Sequence, residues 1–587
     1  MKAHPFLKAN LEALQRLNAP IFQWLTTQNP DVSGFDGNII TNKHGLLDWS
    51  LPNGQGLFDS ISQQVAYRDW IPRDKADTSA TVIVGSNLGY GVNHVLANTP
   101  HSHQVLVLEP RPEILLACLS QTDYRDFFET GKLFFVPPDR EFLGGMGWQL
   151  ALQYVFGNIF LRSDMPCRQL GPEYAAWTGH IKEALEDFSC GITTLRHAQD
   201  IMVKNELKNF SRAMRDGNLL ALKNQGQGLS AVVLGAGPSL ADFAPLLAEK
   251  PGGALYTCGL QTLPALQEHG LKPHLCMAVD YTTALKKVFD RLDMERARDI
   301  PLIYSLTLDP EVLNAYPGPT IPVWTLGGLS SNMPRDREFV LATRGNVGVA
   351  LTRFLAWCGV DQIILAGQDF AWQGKKTHVS GHLSDENSFC FNPERHIKMK
   401  NKDGETIYST LAYVTPLRGL ESDLKQLNIP VFNLYGGGAV IEGSIEVTWE
   451  QVLSEGLVNS TPGSLEHFLK AMNQCRAPRP WPVFEARSIQ WAGSLYSVEK
   501  RLKKLFKKAS EYQEEIHKIF NQILLFLRQD PLYQPYLFKE ILGMAGLVHA
   551  RPSYGFEELA ECRKIVKRVL EKVRAMDQHL IYDRKAA

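Results

Sequence analysis

Four apolar residues, Ala231-Val232-Val233-Leu234, run straight into Gly235-Ala236-Gly237-Pro238-Ser239, and a helix-like stretch over 240–248 follows at once. A short apolar run with β-branched residues, bounded by glycine, is the pattern of a strand buried on both faces. The glycines let the chain turn tightly, and Ser239 stands where a helix N-cap is wanted. Leu255-Tyr256-Thr257-Cys258 then supplies the next strand and completes a strand–helix–strand unit. Further strands are predicted at 275–279, 301–306, 323–326 and 362–366, with helices between them, notably over 347–357. Strands that alternate with helices are joined by crossovers, which make the sheet parallel and cover both of its faces. The predicted fold class is α/β, with a doubly wound, Rossmann-like parallel sheet as its central domain over 205–445.

A second unit of the same kind precedes it. Thr81-Val82-Ile83-Val84 reads as a strand, 85–91 as a Gly-rich turn, 92–98 as a helix and 105–108 as a second strand ending in Glu109. These residues predict an N-terminal Rossmann-like βαβ domain over 76–200. Residues 1–75 form a mixed segment, with a helix over 7–25 and short strands and turns over 29–56. From 485 the pattern changes to helical: Val498, Leu502, Leu505, Ala509, Tyr512, Ile516, Ile519, Ile523 and Phe526 recur in steps of four and three. A similar set runs from Leu559 to Leu580, and Pro531, Pro535 and Pro552 interrupt the two. The expectation is a C-terminal α-helical bundle or hairpin over 485–587, after a Pro-rich linker over 476–482. The 587 residues suit several domains of this size.

Composition excludes some functions. The 61 Lys+Arg and 62 Asp+Glu leave a net charge of -1, which argues against a binder of duplex nucleic acid that depends on an overall positive field. The charge is uneven, since residues 494–587 hold 18 Lys+Arg against 12 Asp+Glu. The longest apolar runs, such as 114–119 and 523–527, fall far short of the ~20 residues that span a bilayer, so no membrane span is predicted. The N-terminus shows no secretory signal, which predicts a cytoplasmic protein. Nine cysteines with no Cys-x-x-Cys pair read as reduced structural thiols rather than a disulfide frame or zinc site.

The residues that can carry chemistry gather where strands end. Gly235, Gly237, Pro238 and Ser239 place backbone N–H groups at a helix N-terminus, a setting suited to phosphate. Leu240 and Ala241 stand where a dinucleotide fingerprint needs its third glycine, so this is not an NAD site. Asp280 closes the strand 275–279, where an acid either orients a ligand hydroxyl or caps a loop. After the strand 362–366 come Gly367-Gln368-Asp369-Phe370-Ala371-Trp372, then Lys375-Lys376-Thr377-His378 and Ser380-Gly381-His382. An imidazole there is suited to take a proton from an attacking hydroxyl. Zinc held by His378 and His382 is the weaker reading, because Gly381 interrupts their spacing. In the first unit, Gly85, Gly89 and Gly91 with Glu109 look like a nucleoside or S-adenosylmethionine fingerprint, but no Asp/Asn-Pro-Pro-Tyr/Phe run follows, so a retained scaffold is the preferred reading.

The ordered series Gly235-Ala-Gly-Pro-Ser239, Gly270-Leu-Lys-Pro273 leading to Asp280, Gly345-Asn346-Val-Gly348, and Gly367-Gln-Asp-Phe-Ala371 with Lys376-Thr-His378 and Gly381 resembles the motility-associated factor (Maf) glycosyltransferase family, the DUF115 or MptE-like domain. Phe370 and Tyr281 depart from the family's commoner leucine and proline. The resemblance implies a cytosolic enzyme that transfers a nonulosonic acid, of the pseudaminic or legionaminic type, from a CMP-activated donor to Ser/Thr of flagellin, in support of flagellum assembly and motility. It implies catalytic roles for His378 as general base and for Asp280 and Asp369. It implies nucleotide-sugar contacts from Gly235, Gly237, Pro238, Ser239, Gly259, Thr262, Asn346, Gln368, Lys376 and Thr377. It implies no obligatory metal or cofactor. The same scaffold also suits a 6-hydroxymethylpterin diphosphokinase, or a flagellin-binding assembly factor that does no chemistry.

Overall fold

Alternation along buried strands builds the two large sheets of the molecule. The computed structural model describes the whole chain except residues 1–3, 5, 32–34, 327–328, 330–338, 342–344, 373, 375, 385–388, 552 and 584–587. Two compact units result: residues 1–193 with 505–524 and 542–562, and residues 194–504 with 525–541 and 563–587. The C-terminal helices are thus divided between the units, as is a 44-residue helix, Glu173–Asp216.

In the first unit a small antiparallel hairpin, β1 (Ile39–Thr41) and β2 (Leu47–Trp49), follows two helices, Leu7–Leu17 and Ala19–Gln28. The single helix predicted over 7–25 is broken at Asn18, whose buried amide donates to the Phe135 carbonyl at 2.8 Å. The sheet contains β3 (Ala80–Val84), β4 (Gln104–Leu108), β5 (Leu133–Val136) and β6 (Ile159–Ser163), all parallel, in the order β5-β4-β3-β6. Ile83, Val105 and Val107 pack into one core, whereas Val82, Val84, Leu106 and Leu108 pack into another. Successive side chains of a strand point to opposite faces, so a sheet covered on both sides needs an uninterrupted apolar run.

The second unit holds a nine-stranded parallel sheet. Its strands are β7 (Ser230–Leu234), β8 (Leu255–Gly259), β9 (Leu275–Ala278), β10 (Leu302–Ser305), β11 (Thr320–Thr325), β12 (Val340–Leu341) and β13 (Gln362–Ala366), then, beyond an antiparallel hairpin of β14 (His396–Lys400) and β15 (Thr406–Thr410), β16 (Val431–Leu434) and β17 (Ile445–Val447). Their order is β12-β11-β10-β9-β8-β7-β13-β16-β17. The chain steps outward from β7 to β12, then returns to place β13 against the other edge of β7, in register from Gln362 with Ser230 to Ala366 with Leu234. Helix Val347–Cys358 covers one face, with Ala231 and Val233, and helix Leu240–Glu249 the other, with Val232 and Leu234. The predicted doubly wound α/β sheet is present, and its direction reverses between β7 and β13.

The C-terminal face predicted as continuous from Val498 to Phe526 is interrupted. Helix Ser488–Leu505 passes into a 3-10 turn, Phe506–Lys508, and a new helix begins at Gln513. Leu502 and Phe506 are buried, Tyr512 is exposed, and burial resumes at Ile516. The Gln513 side chain donates to the carbonyls of Ala509 and Tyr554, which satisfies the break. A further helix, Phe538–His549, was not legible between the prolines. It carries Glu540, buried among Lys572 and Arg568 at 2.8 Å each, and Lys572 also meets Asp200 at 2.6 Å. Pro552 lies outside the described residues. Seven of the nine cysteines are buried. Among the described residues no helix is long and apolar enough to cross a membrane.

Candidate active site

Doubly wound sheets bind ligands at the carboxyl ends of the strands where the winding reverses. Here that point brings the turn after β7 against the turn after β13. Gly235 N–H donates to the Ala366 carbonyl at 2.8 Å and Gly237 N–H to the Gly367 carbonyl at 2.9 Å. A Cβ at 235 would stand 2.2 Å from the Gly367 oxygen, and one at 237 would stand 2.3 Å from Asp369 Oδ2. Neither glycine has a positive φ, so the requirement is close approach of two backbones rather than an unusual conformation.

Asp369 is the keystone of this contact. Its Oδ2 accepts from Ser239 N–H at 2.9 Å and its Oδ1 from the Ser239 hydroxyl at 2.5 Å. Burial pushes its carboxyl up to about 6, against the two Ser239 hydrogen bonds, which pull it down. Gln368 is buried beside Gly348, and Phe370 holds φ at 49°, in the left-handed region that non-glycine residues seldom adopt. That turn aims the carboxylate back at the helix beginning with Leu240. The phosphate cradle expected from Gly235, Gly237 and Ser239 is therefore filled from within: all three N–H groups are donated inside the protein, and Pro238 has none to give.

The histidine loop is tied to the same turn, since Val379 N–H donates to the Ala236 carbonyl at 3.1 Å. His378 Nδ1 lies 2.9 Å from Thr377 Oγ1, and its Nε2 lies 3.0 Å from the hydroxyl of Tyr413. His382 stacks on it, with ring centroids 4.2 Å apart and planes 8° from parallel. His382 Nδ1 accepts the Ser384 N–H, which leaves its proton on Nε2, facing Gln261 Oε1 at 3.2 Å. Rings stacked face to face do not turn their nitrogens onto one ion, so the weaker zinc reading fails on geometry. Lys376 is exposed, and Lys375 lies outside the described residues.

The solved structure of a Maf glycosyltransferase from Magnetospirillum magneticum AMB-1 is similar over 99% of this chain and 96% of that one, with a TM-score of 0.57 at 17% identity. The chain has the Maf glycosyltransferase fold. Residues 204–375 also match the family model described as 6-hydroxymethylpterin diphosphokinase MptE-like. A sequence search of curated proteins gives no significant match.

Within the Maf fold the remaining predicted residues take mixed places. Asn346 caps helix Val347–Cys358, accepting from Gly348 N–H at 2.8 Å and Val349 N–H at 3.2 Å. Asp280 accepts from Thr282 N–H at 2.9 Å and so closes its own loop. Gly259 admits Val347, whose Cγ1 would stand 2.7 Å from a Cβ at 259, and Thr262 is buried beside it. None of these four is hydrogen-bonded to His378 or Asp369 by a described contact.

In the first unit, Glu109 is fully buried, and its two oxygens accept from Ser86 N–H at 2.7 Å, Ser86 Oγ at 3.0 Å, Tyr174 at 2.7 Å and Arg111 N–H at 3.1 Å. Burial pushes its carboxyl up to about 7. The acid that a ribose would need is already saturated by the loop and the 44-residue helix, so the scaffold reading suits this unit. Tyr413 escaped the sequence reading because it stands near no glycine turn or recognisable motif; Gln261 lies between Gly259 and Thr262, yet nothing in that stretch singles out its side chain.

Proposed function

We propose that this chain is a glycosyltransferase that moves a nonulosonic acid of the pseudaminic or legionaminic type from a CMP-activated donor to Ser/Thr of flagellin in the cytoplasm. The observation that carries the reading is the convergence of His378, Tyr413 and the Asp369–Ser239 contact at the sheet's switch point, in a chain that has the Maf fold from end to end. The identity of the donor, the acceptor and the compartment comes from the motif series and goes beyond the fold.

The chemistry asked of the site is a single displacement. An acceptor hydroxyl attacks the anomeric carbon, CMP departs with the bonding electrons, and a base removes the acceptor proton. Asp369 serves by position: it joins the two turns and does not face an acceptor. With a CMP leaving group the reading requires no metal.

The family model over 204–375 favours a second reading, transfer of diphosphate from ATP to a hydroxymethylpterin. Ligand binding separates the two, because a ligand that binds only the folded state raises its stability by about 2.7 kcal/mol at a hundredfold excess over Kd. CMP is expected to raise the melting temperature of the full chain, and ATP with Mg²⁺ to leave it unmoved. A shift with ATP and Mg²⁺ but none with CMP supports the diphosphokinase instead.

A further inference from the structure

A general base needs a free lone pair aimed at the proton it removes, and the nitrogens of His378 are both engaged. On one side Nδ1 meets Thr377 Oγ1 at 2.9 Å; on the other Nε2 meets the Tyr413 hydroxyl at 3.0 Å. Tyr413 lies in the first turn of helix Leu411–Leu424, directly after the hairpin strand β15. Its ring lies edge-on to its neighbours, 6.0 Å from Trp372 at 78° and 6.1 Å from His378 at 60° between centroids. The phenol is half-buried, and burial raises its pKa above the ordinary value, so at neutral pH it keeps its proton and donates it.

We propose that the Tyr413 hydroxyl, rather than the imidazole, meets the acceptor hydroxyl and relays its proton to Nε2 of His378. This rests on the glycosyltransferase reading and adds a catalytic residue to it. As the acceptor oxygen bonds to the anomeric carbon, the bond from that carbon to the CMP phosphate oxygen breaks and its electron pair leaves with CMP. The acceptor proton passes to the Tyr413 oxygen while the Tyr413 proton passes to His378 Nε2. Tyr413 ends as it began, and His378 ends as an imidazolium whose Nδ1–H donates to Thr377. His382, stacked 4.2 Å away, carries its proton on Nε2 and accepts at Nδ1, which keeps it neutral and spares the new imidazolium a like charge.

Two measurements on the full-length protein test the relay. In the first, transfer is compared for wild type, His378→Ala, Tyr413→Phe and the double variant. Each single change is expected to lower kcat by about 10²-fold or more, with KM for the donor unchanged. The double variant is expected to be no slower than the slower single, because members of one relay fail as a unit. In the second, ¹⁵N-histidine spectra of the Tyr413→Phe protein are expected to show the His378 Nε2 resonance moved, with a well-dispersed, folded spectrum. Undiminished transfer by Tyr413→Phe, losses that multiply in the double variant, or an unmoved His378 resonance each overturn the relay. A wild type that transfers no sugar, with the resonance shift present, counts against the glycosyltransferase reading and leaves the His378–Tyr413 bond standing.

Discussion

Gly237→Val is expected to fold and to lose sugar transfer by about 10²-fold or more, the scale on which a displacement of about 1 Å slows a positioned reaction. A Cβ at 237 would lie 2.3 Å from Asp369 Oδ2 and 2.7 Å from the Gly367 carbonyl oxygen. The second of these is backbone and cannot swing aside. The β7 and β13 turns must therefore separate, which also disturbs the Ser239–Asp369 bonds and the loop that carries His378. Forcing methyl groups into a packed site costs about 1–3 kcal/mol, so denaturation should show a weakened but folded protein. Gly144→Ala is the control, because a Cβ there meets nothing within 4 Å. A folded Gly237→Val protein with unreduced transfer contradicts the role given to the switch point.

Glu540→Ala is expected to produce the largest loss of stability, about 3–5 kcal/mol by chemical denaturation. The Glu540 side chain is fully buried; its Oε2 accepts from Lys572 Nζ at 2.8 Å, and its Oε1 forms an ion pair with Arg568 at 2.8 Å. Removing it leaves the Lys572 ammonium, whose side chain is only 14% exposed, with Asp200 as its counter-charge and the Tyr536 carbonyl as acceptor. Glu540→Gln, which keeps an acceptor oxygen, should lose less. Asp200 gives the same network a pH signature. Burial pushes its carboxyl up, but Lys572 and Lys539 outweigh this and hold it down to about 2. The contribution of Asp200 is therefore present above the unfolded carboxylate pKa near 4 and is lost as pH falls toward 2. A Glu540→Ala protein within 1 kcal/mol of wild type refutes the assignment of this network as a main support of the unit.

Strands were the most legible part of the chain. A parallel strand buried on both faces is an unbroken apolar run, and β3, β7, β8 and β13 begin and end within about a residue of the runs that announce them. The reversal between β7 and β13 could be anticipated only as a class of fold, since no local pattern states which strands will be neighbours. The same limit applied to the site. Ser239 and Asp369 each stood out beside a glycine turn, yet their bond spans 130 positions, so a turn read as open to phosphate is filled by the chain's own carboxylate. Tyr413 reaches His378 because β14 and β15 fold back before helix Leu411–Leu424, and nothing near Tyr413 in sequence signals that. At the C-terminus, steps of four and three persisted through 509–512 although the helix stops there, because periodicity records which side chains are apolar and not whether the backbone carries them on one axis.

The most direct test is the intact mass of flagellin co-expressed with this protein and a pathway for CMP-activated nonulosonic acid. The account predicts a mass increase equal to one or more nonulosonic acid residues, absent when the Gly237→Val protein replaces the wild type. Flagellin of unchanged mass, recovered bound to the wild-type protein, would contradict it and favour an assembly factor that binds flagellin without modifying it.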